Sequence, residues 1–307
     1  MGVINMVHNN LGLTFIVPAY NEEKSITNTL NRLLETLLKA NISYEIIVVN
    51  DGSQDEILKL VERFQDVKII NHPVNIGYGN AIKSGIKYAR YDWIGCVDAD
   101  GSYPIEDIPL LLKEMEKGFD MVIGSRNNLQ EIDKTIKNIF RFIFNNIIKF
   151  VVTQKIEDPN SGLRIFKREL AINLFPFLCG SFSFTTSLTI LATGMSCFIK
   201  YVPIRFTQRE GKSKVHHFRD SFRAAQYIVQ GITFFNPIKF FVILSFGMIF
   251  IVCIPAMFLA LFRMFTLSLY YMIFGTTVTM LIGLGVLGDI IRISASQKDV
   301  KRNEKTL

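Results

Sequence analysis

Two aspartates one residue apart, Asp98 and Asp100, are the residues whose type and spacing point most directly to chemistry. They follow a short apolar run, Trp93-Ile94-Gly95-Cys96-Val97, which reads as a buried strand that Gly101 and Pro104 then stop. Positions i and i+2 of an extended chain point the same way, although strand ends bend and the pair need not share every ligand. Two carboxylates at the carboxyl end of a strand suit a divalent ion held against a diphosphate. Mg²⁺ and Mn²⁺ prefer oxygen ligands, and Mg²⁺ typically takes one or two carboxylates plus substrate phosphates. The competing reading of the pair alone is an Asx-rich turn with no ligand.

The elements that must position these acids repeat one pattern. Leu13–Val17 reads as a buried strand, followed by Pro18-Ala19-Tyr20-Asn21-Glu22-Glu23, where Asn21 has the character of a helix N-cap. The helix expected next runs to about Ala40, with Ile26, Leu30, Leu33, Leu34, Leu37 and Leu38 on one face. A strand over Tyr44–Val49 ends in Asn50–Asp55, and a helix is expected over Gln54–Phe64. Further strands fall at Val67–Ile70, Trp93–Val97 and Asp120–Ile123; Asn75–Asn80 opens a helix that runs to Arg90, and another is expected over Glu106–Lys117. Strands alternating with helices indicate an α/β fold with a mostly parallel sheet, and such sheets bind ligands beyond the carboxyl ends of their strands. Asn21, Asp51, Asp98, Asp100 and Arg126 each fall just after an apolar strand. That shared placement marks a site where any one of them alone would mark a turn.

Five segments then occur in a fixed order: Val17–Glu23, Val49-Asn-Asp-Gly-Ser-Gln-Asp55, Asn75-Ile-Gly-Tyr-Gly-Asn-Ala81, Asp98-Ala-Asp100 and Ile123-Gly-Ser-Arg126. Together they resemble family 2 glycosyltransferases of the polyprenyl-phosphate type, the dolichyl-phosphate mannosyltransferase-like group, over roughly residues 12–215. The resemblance implies a GT-A-type nucleotide-sugar-binding domain, a UDP- or GDP-linked sugar donor and an inverting transfer. It implies that Pro18, Tyr20, Glu22 and Asp51 line the nucleotide pocket, with Asp51 on the base. Asp98 and Asp100 would face the diphosphate and a divalent metal, Mg or Mn, and Arg126 the phosphates or the sugar. Glu23 belongs to that pocket or serves a helix N-terminus. Relatives often carry Asp-Ala-Asp-Leu-Gln-His-Pro, whose Gln can join the metal shell; here Gly101-Ser102-Tyr103-Pro104 follows the acids. Ser102 is a metal ligand directly, through water, or not at all.

Asp158-Pro-Asn-Ser-Gly-Leu-Arg164 matches the acceptor-side segment of the same family. Asp158 is the candidate for positioning the acceptor or acting as base, and Arg164 for holding a phosphate or pairing with a carboxylate. Many members carry an acid at the start of the next helix, where this chain has Ser183-Phe184-Thr185-Thr186-Ser187. A hydroxyl acceptor needs a base, worth about 10²–10⁴-fold. A phosphate acceptor is largely ionised at neutral pH, since its second pKa is about 6. The missing acid therefore favours a polyprenyl phosphate, undecaprenyl or dolichyl, as acceptor. Gln208–Lys214 resembles the family's Arg-x-Gly-x-Ser-Lys segment, which places Arg209, Ser213 and Lys214 around a donor or acceptor phosphate. The alternatives are transfer to a glycan or glycolipid hydroxyl and a catalytically silent membrane scaffold. Trp93 is the only Trp and no Gln-x-x-Arg-Trp motif surrounds it, which argues against a processive polymerase.

Composition adds the membrane. Of 307 residues 49% are hydrophobic, and the excess is concentrated after Asn236. Ile238–Phe262 and Ser268–Ile291 each read as a span, and Pro255 is expected to kink the first. Arg263 alone is charged in the connection, whereas Lys239 sits at the start of the first span and Arg292, Lys298, Lys301, Arg302 and Lys305 follow the second. By the positive-inside rule the catalytic domain and both termini are cytoplasmic in a multi-pass integral membrane protein. The expected division is a cytosolic catalytic domain over 1–217, a juxtamembrane amphipathic helix over 218–236, and two transmembrane helices with a basic tail over 237–307. A basic amphipathic stretch, Thr135–Val152, packs on the body or lies on the membrane surface. The net charge of +7 fits an anionic membrane better than nucleic acid, for which no aromatic-and-basic module is present. The four cysteines have no paired spacing, which excludes a disulfide framework or a zinc site by pattern. A homo-oligomer is left open.

Overall fold

A computed structural model describes residues 12–127, 156–207 and 237–304. The stretch Thr135–Val152, the phosphate candidates Arg209, Ser213 and Lys214, and the juxtamembrane segment 218–236 lie outside the described residues. Contacts divide the chain into two units, Met1–Ala224 and Ala225–Leu307.

The first unit is built on a seven-stranded sheet in the order β3-β2-β1-β4-β6-β5-β7. Its strands are β1 (Leu13–Ala19), β2 (Tyr44–Asn50), β3 (Val67–Asn71), β4 (Trp93–Cys96), β5 (Met121–Arg126), β6 (Arg164–Lys167) and β7 (Ile199–Ile204). The sheet is mostly parallel; only β6, between β4 and β5, runs against its neighbours. Every residue of β1 is buried, as an apolar run covered on both faces requires. Helix α1 (Ile26–Lys39) buries Ile26, Leu30, Leu33 and Leu37, one face at helical spacing. Helices α2 (Ile57–Val61), α3 (Tyr78–Tyr88) and α4 (Ile108–Glu116) follow β2, β3 and β4, and α5 (Arg168–Leu174) and α6 (Phe184–Gly194) lie between β6 and β7.

Three local expectations need correction. Asn21 does not cap a helix: α1 begins at Ile26, and Asn21 sits in the left-handed region at φ 53° with its side chain on another loop. The helix expected over Gln54–Phe64 shrinks to Ile57–Val61, because the polar groups of residues 53–56 bond across to the β1–α1 loop. Strand β6 was not anticipated, because four residues, Arg-Ile-Phe-Lys, are too few to show a period.

The second unit contains α7 (Pro237–Met248), a five-residue π-helical segment (Ile249–Cys253), α8 (Ile254–Leu261) and α9 (Phe265–Glu304). Phe240–Leu261 and Phe265–Gly288 are long and apolar enough to cross a bilayer, with mean hydropathies of 2.6 and 1.7. At about 1.5 Å per residue both exceed the roughly 30 Å hydrocarbon core. Pro255 has no N–H to give the carbonyl four residues back, Ile251. The Tyr271 hydroxyl of α9 donates to that oxygen at 2.9 Å, and Ser268 Oγ donates to the Ala256 carbonyl at 2.7 Å. The perturbation expected at Pro255 thus takes the form of a π turn whose freed acceptor is satisfied by the second helix.

Candidate active site

Parallel pairing aligns Ala19 with Asn50 and Asn50 with Asn71, so the loops after β1, β2 and β3 leave one edge of the sheet together. β4 and β5 end at that same edge. β6 runs the other way, so it begins there: Arg164 lies between Cys96 and Ile123, and the segment 158–163 reaches the edge just before it. One antiparallel strand therefore brings the 158–163 segment to the two aspartates.

Asp98 is half-buried, and the Tyr78 hydroxyl donates to its Oδ1 at 2.8 Å. The Gly162 backbone packs over the carboxylate's face: a Cβ there would lie 2.8 Å from Asp98 Oδ2 and 2.9 Å from Oδ1. Burial, then the neighbouring Asp100 charge, push the Asp98 carboxyl up to about 6. Asp100 Oδ1 accepts the Ser102 N–H at 3.0 Å and the Ser102 hydroxyl. Ser102 is 2% exposed with its hydroxyl directed at Asp100, so it orients that carboxylate. Among the described residues no three His, Cys, Asp or Glu side chains gather to hold a metal. Two repelling carboxylates at a strand end suit a cation that completes its shell with a substrate's phosphates rather than an all-protein cage.

Beside them, Arg126 forks onto Asp158, with Nε 2.7 Å from Oδ2, a second guanidinium nitrogen 2.8 Å from Oδ1 and the Arg126 backbone N–H 3.1 Å from Oδ2. Burial alone would raise the Asp158 carboxyl, but the hydrogen bonds and charge of Arg126 outweigh it and hold it below its ordinary value. The Arg126 guanidinium also lies 5.4 Å over the Phe206 ring, and Phe206 meets Tyr103 edge-on at 5.1 Å. The Tyr103 hydroxyl accepts the Gly162 N–H at 2.7 Å. Asp98, Arg126, Asp158 and their supports thus form one connected cluster.

Arg164 is fully buried and faces carbonyls rather than a carboxylate or a ligand. It donates to Ser161 O, Pro159 O, Thr185 O and Thr189 Oγ1. These bonds tie the 158–163 segment to the start of α6.

The donor-side candidates are arranged differently. Asp51 is 3% exposed; its carboxylate accepts the backbone N–H groups of Ile76 and Gly77 at 3.1 and 2.8 Å and contacts His72 Nδ1 at 2.8 Å. Pro18 is buried within β1 opposite Val49, and Tyr20 and Glu22 are half-buried in the loop after it. That loop is zipped to the loop after β2. Asn21 N–H donates to Ser53 Oγ and Gln54 N–H to Asn21 Oδ1; Glu23 N–H donates to Asp55 Oδ2 and Glu56 N–H to Glu23 Oε2. Glu23 therefore serves a helix N-terminus, that of α2 rather than of its own α1. Tyr78, Tyr103, Gly162 and Phe206 were not singled out from sequence. Tyr78 and Tyr103 sat inside quoted motifs, but no spacing links them to partners so far along the chain.

The family model for glycosyl transferase family 2 matches residues 14–175. A dolichyl-phosphate beta-glucosyltransferase of Dictyostelium discoideum is 30% identical over 242 residues, covering 72% of this chain and 74% of the relative. An undecaprenyl-phosphate 4-deoxy-4-formamido-L-arabinose transferase of Shewanella sediminis is 28% identical, over 66% of this chain and 61% of its own. The fold is similar to glucosyl-3-phosphoglycerate synthase of Mycobacterium tuberculosis, solved with Mn²⁺, UDP-glucose and phosphoglyceric acid. The TM-score is 0.57 at 15% identity, over 72% of this chain and 80% of that one. A mostly parallel sheet with one reversed strand, paired acids at its edge and a match over more than half the chain lead to one statement: this protein belongs to glycosyltransferase family 2.

Proposed function

We propose that this glycosyltransferase moves a sugar, with inversion, from a nucleotide diphosphate to a polyprenyl phosphate at the membrane. The names of its relatives support the acceptor class. The observation that carries the reading is the state of Asp158. Its carboxylate is engaged bidentately by Arg126 and is held ionised with both oxygens occupied, a poor arrangement for taking a hydroxyl proton. The start of α6 supplies no replacement, since its polar residues are Ser183, Thr185, Thr186 and Ser187. A phosphate acceptor arrives ionised and needs positioning, not deprotonation.

In this reading an acceptor phosphate oxygen attacks the anomeric carbon from the face opposite the leaving group, and the bond from that carbon to the diphosphate breaks. Asp98 and Asp100 would hold a divalent cation, Mg or Mn, whose charge offsets that growing on the leaving diphosphate. The Mn²⁺ in the structurally similar synthase supports a cation of this kind. Pro18, Tyr20, Glu22 and Asp51 line the nucleotide side. Arg126 faces the phosphates or sugar from the Asp158 pair, and Arg209, Ser213 and Lys214 gather a phosphate. The catalytic domain over 1–217, the 218–236 segment and the two spans with their tail keep the site at the bilayer, with body and termini cytoplasmic by the basic flanks of the spans.

The test uses the full chain in detergent with Mn²⁺ or Mg²⁺, labelled UDP- and GDP-sugars, and undecaprenyl or dolichyl phosphate. Label entering the lipid phase only with the lipid phosphate, and lost in Asp100→Ala, is the expected result. Donor hydrolysis, or transfer to a glycolipid hydroxyl without lipid-phosphate product, would overturn it.

A further inference from the structure

The carboxylate of Asp98 is fixed by two elements that the sequence keeps apart. From one side the Tyr78 hydroxyl, at the first residue of α3, donates to Oδ1 at 2.8 Å. Over the carboxylate's face, the Gly162 backbone leaves no room for a side chain: a Cβ would fall 2.8 Å from Oδ2, 2.9 Å from Oδ1 and 3.0 Å from Cγ. The Gly162 peptide is itself held, its N–H donating to the buried Tyr103 hydroxyl at 2.7 Å.

The ring that carries the Tyr78 hydroxyl is held as well. It stacks on Phe182 with centroids 5.9 Å apart and planes at 16°. The start of α3 is locked against the 179–181 segment. Gly77 has φ 104°, Asn80 N–H donates to Gly180 O at 3.0 Å, and a Cβ on Gly79 would fall 2.2 Å from Cys179 O. Such close backbone contact leaves Tyr78 little freedom to leave Asp98. Asp100 has the equivalent support from Ser102, two residues along its own chain. Carboxylates that ligate metals are generally themselves hydrogen-bonded, and losing such a support costs about 10–100-fold in metal affinity.

We propose that Tyr78 is a positioning residue that sets the Asp98 carboxylate for its cation and donor, with the Gly162 backbone as a stop against the carboxylate's face. A donated phenolic hydrogen bond occupies one lone pair of Oδ1 and leaves Oδ2 and the second Oδ1 lone pair for a cation. A carboxylate rotated out of that plane would lose the Tyr78 bond and meet the Gly162 backbone. The inference rests on the reading of Asp98 and Asp100 as the cation site.

The experiment measures Mn²⁺ binding to the full chain in detergent, in the presence of UDP, from the electron paramagnetic resonance signal of free Mn²⁺. The variants are Tyr78→Phe, Asp98→Ala and the double variant, with melting temperature recorded without metal. Tyr78→Phe should weaken Mn²⁺ about 10-fold with the metal-free melting temperature unchanged, and should add nothing in the Asp98→Ala background. Gly162→Ala keeps the phenol and pushes on the face of the carboxylate, so it should weaken Mn²⁺ by a similar factor. Parent-like binding by Tyr78→Phe, or the same loss in both backgrounds, would overturn the inference while the cation site stands. Parent-like Mn²⁺ binding by Asp98→Ala would instead remove the cation reading, and the inference with it.

Discussion

The loops after β1 and β2 and the loops after β4 and β5 leave the sheet at the same edge, yet their polar groups are used differently. In the first pair, Asn21, Ser53, Asp55 and Glu23 bond to one another or to each other's backbone, and Asp51 gathers the 76–77 backbone and His72. In the second, Asp98 and Asp100 each accept a supporting hydroxyl, and the Asp100 charge helps push the Asp98 carboxyl up. A motif shared with a family therefore mixes scaffold and chemistry. Here the residues that build the wall and those that bind can be told apart only by where their hydrogen bonds go.

The sharpest way to break this comparison is Asp100→Ala. The acid edge predicts a loss of turnover of about 10²–10³-fold, the size seen when one electrostatic stabiliser of a transition state is removed, with little change in melting temperature. A loss of stability instead would put Asp100 with the scaffold.

Asp158→Asn should sit on the other side of the line. It leaves the buried Arg126 guanidinium with a weaker partner, and the cost expected is about 2–4 kcal/mol, read as a fall in melting temperature. Because the folded carboxyl lies below its unfolded value of about 3.9, the parent's Asp158 contribution is fully present above that pH and is lost as pH falls through the folded value. The variant should therefore lose stability at neutral pH and show a shallower acid limb. A fall in turnover with no fall in melting temperature would make Asp158 a base and favour the hydroxyl-acceptor reading.

Arg164→Met tests whether the buried arginine is a peg. It would leave the Ser161, Pro159 and Thr185 carbonyls short of donors, at a cost of about 2–3 kcal/mol, while the donor's KM stays near the parent's in the folded fraction. A selective rise in KM would return Arg164 to ligand binding. The smallest effect is expected at the zipper. Asn21→Ala loses the bond from Gln54 and strains a residue at φ 53°, about 1–2 kcal/mol by melting temperature. A larger loss in donor affinity than in stability would show that the zipped loops also grip the nucleotide.

Much of the fold was legible because its causes are local. The buried face of α1 and the buried runs of β1 and β2 are written at spacings of 3.6 and as unbroken apolar stretches. The two helices long and apolar enough to cross a bilayer were legible from length and hydropathy alone. Helix starts were less so: Asn21 has the composition of a cap, but its side chain found a better partner in a loop 33 residues away. The candidate site divides in the same way. Asp98 and Asp100 announce themselves by spacing, whereas Tyr78 and Gly162 act on Asp98 through contacts made 20 residues away and across the sheet.

Sequence alone was enough for the first five strands and the helices between them, the acids at a strand end, the two apolar helices and the family, since each depends on neighbours or on a pattern read along the chain. Tertiary structure alone decided that β6 runs backwards and carries Asp158 and Gly162 to the aspartates, and that Arg164 faces carbonyls. It also decided that Tyr271 answers the acceptor freed at Pro255. These are pairings between distant segments, and their partners are chosen by which groups burial leaves without water, a quantity that exists only once the chain has packed.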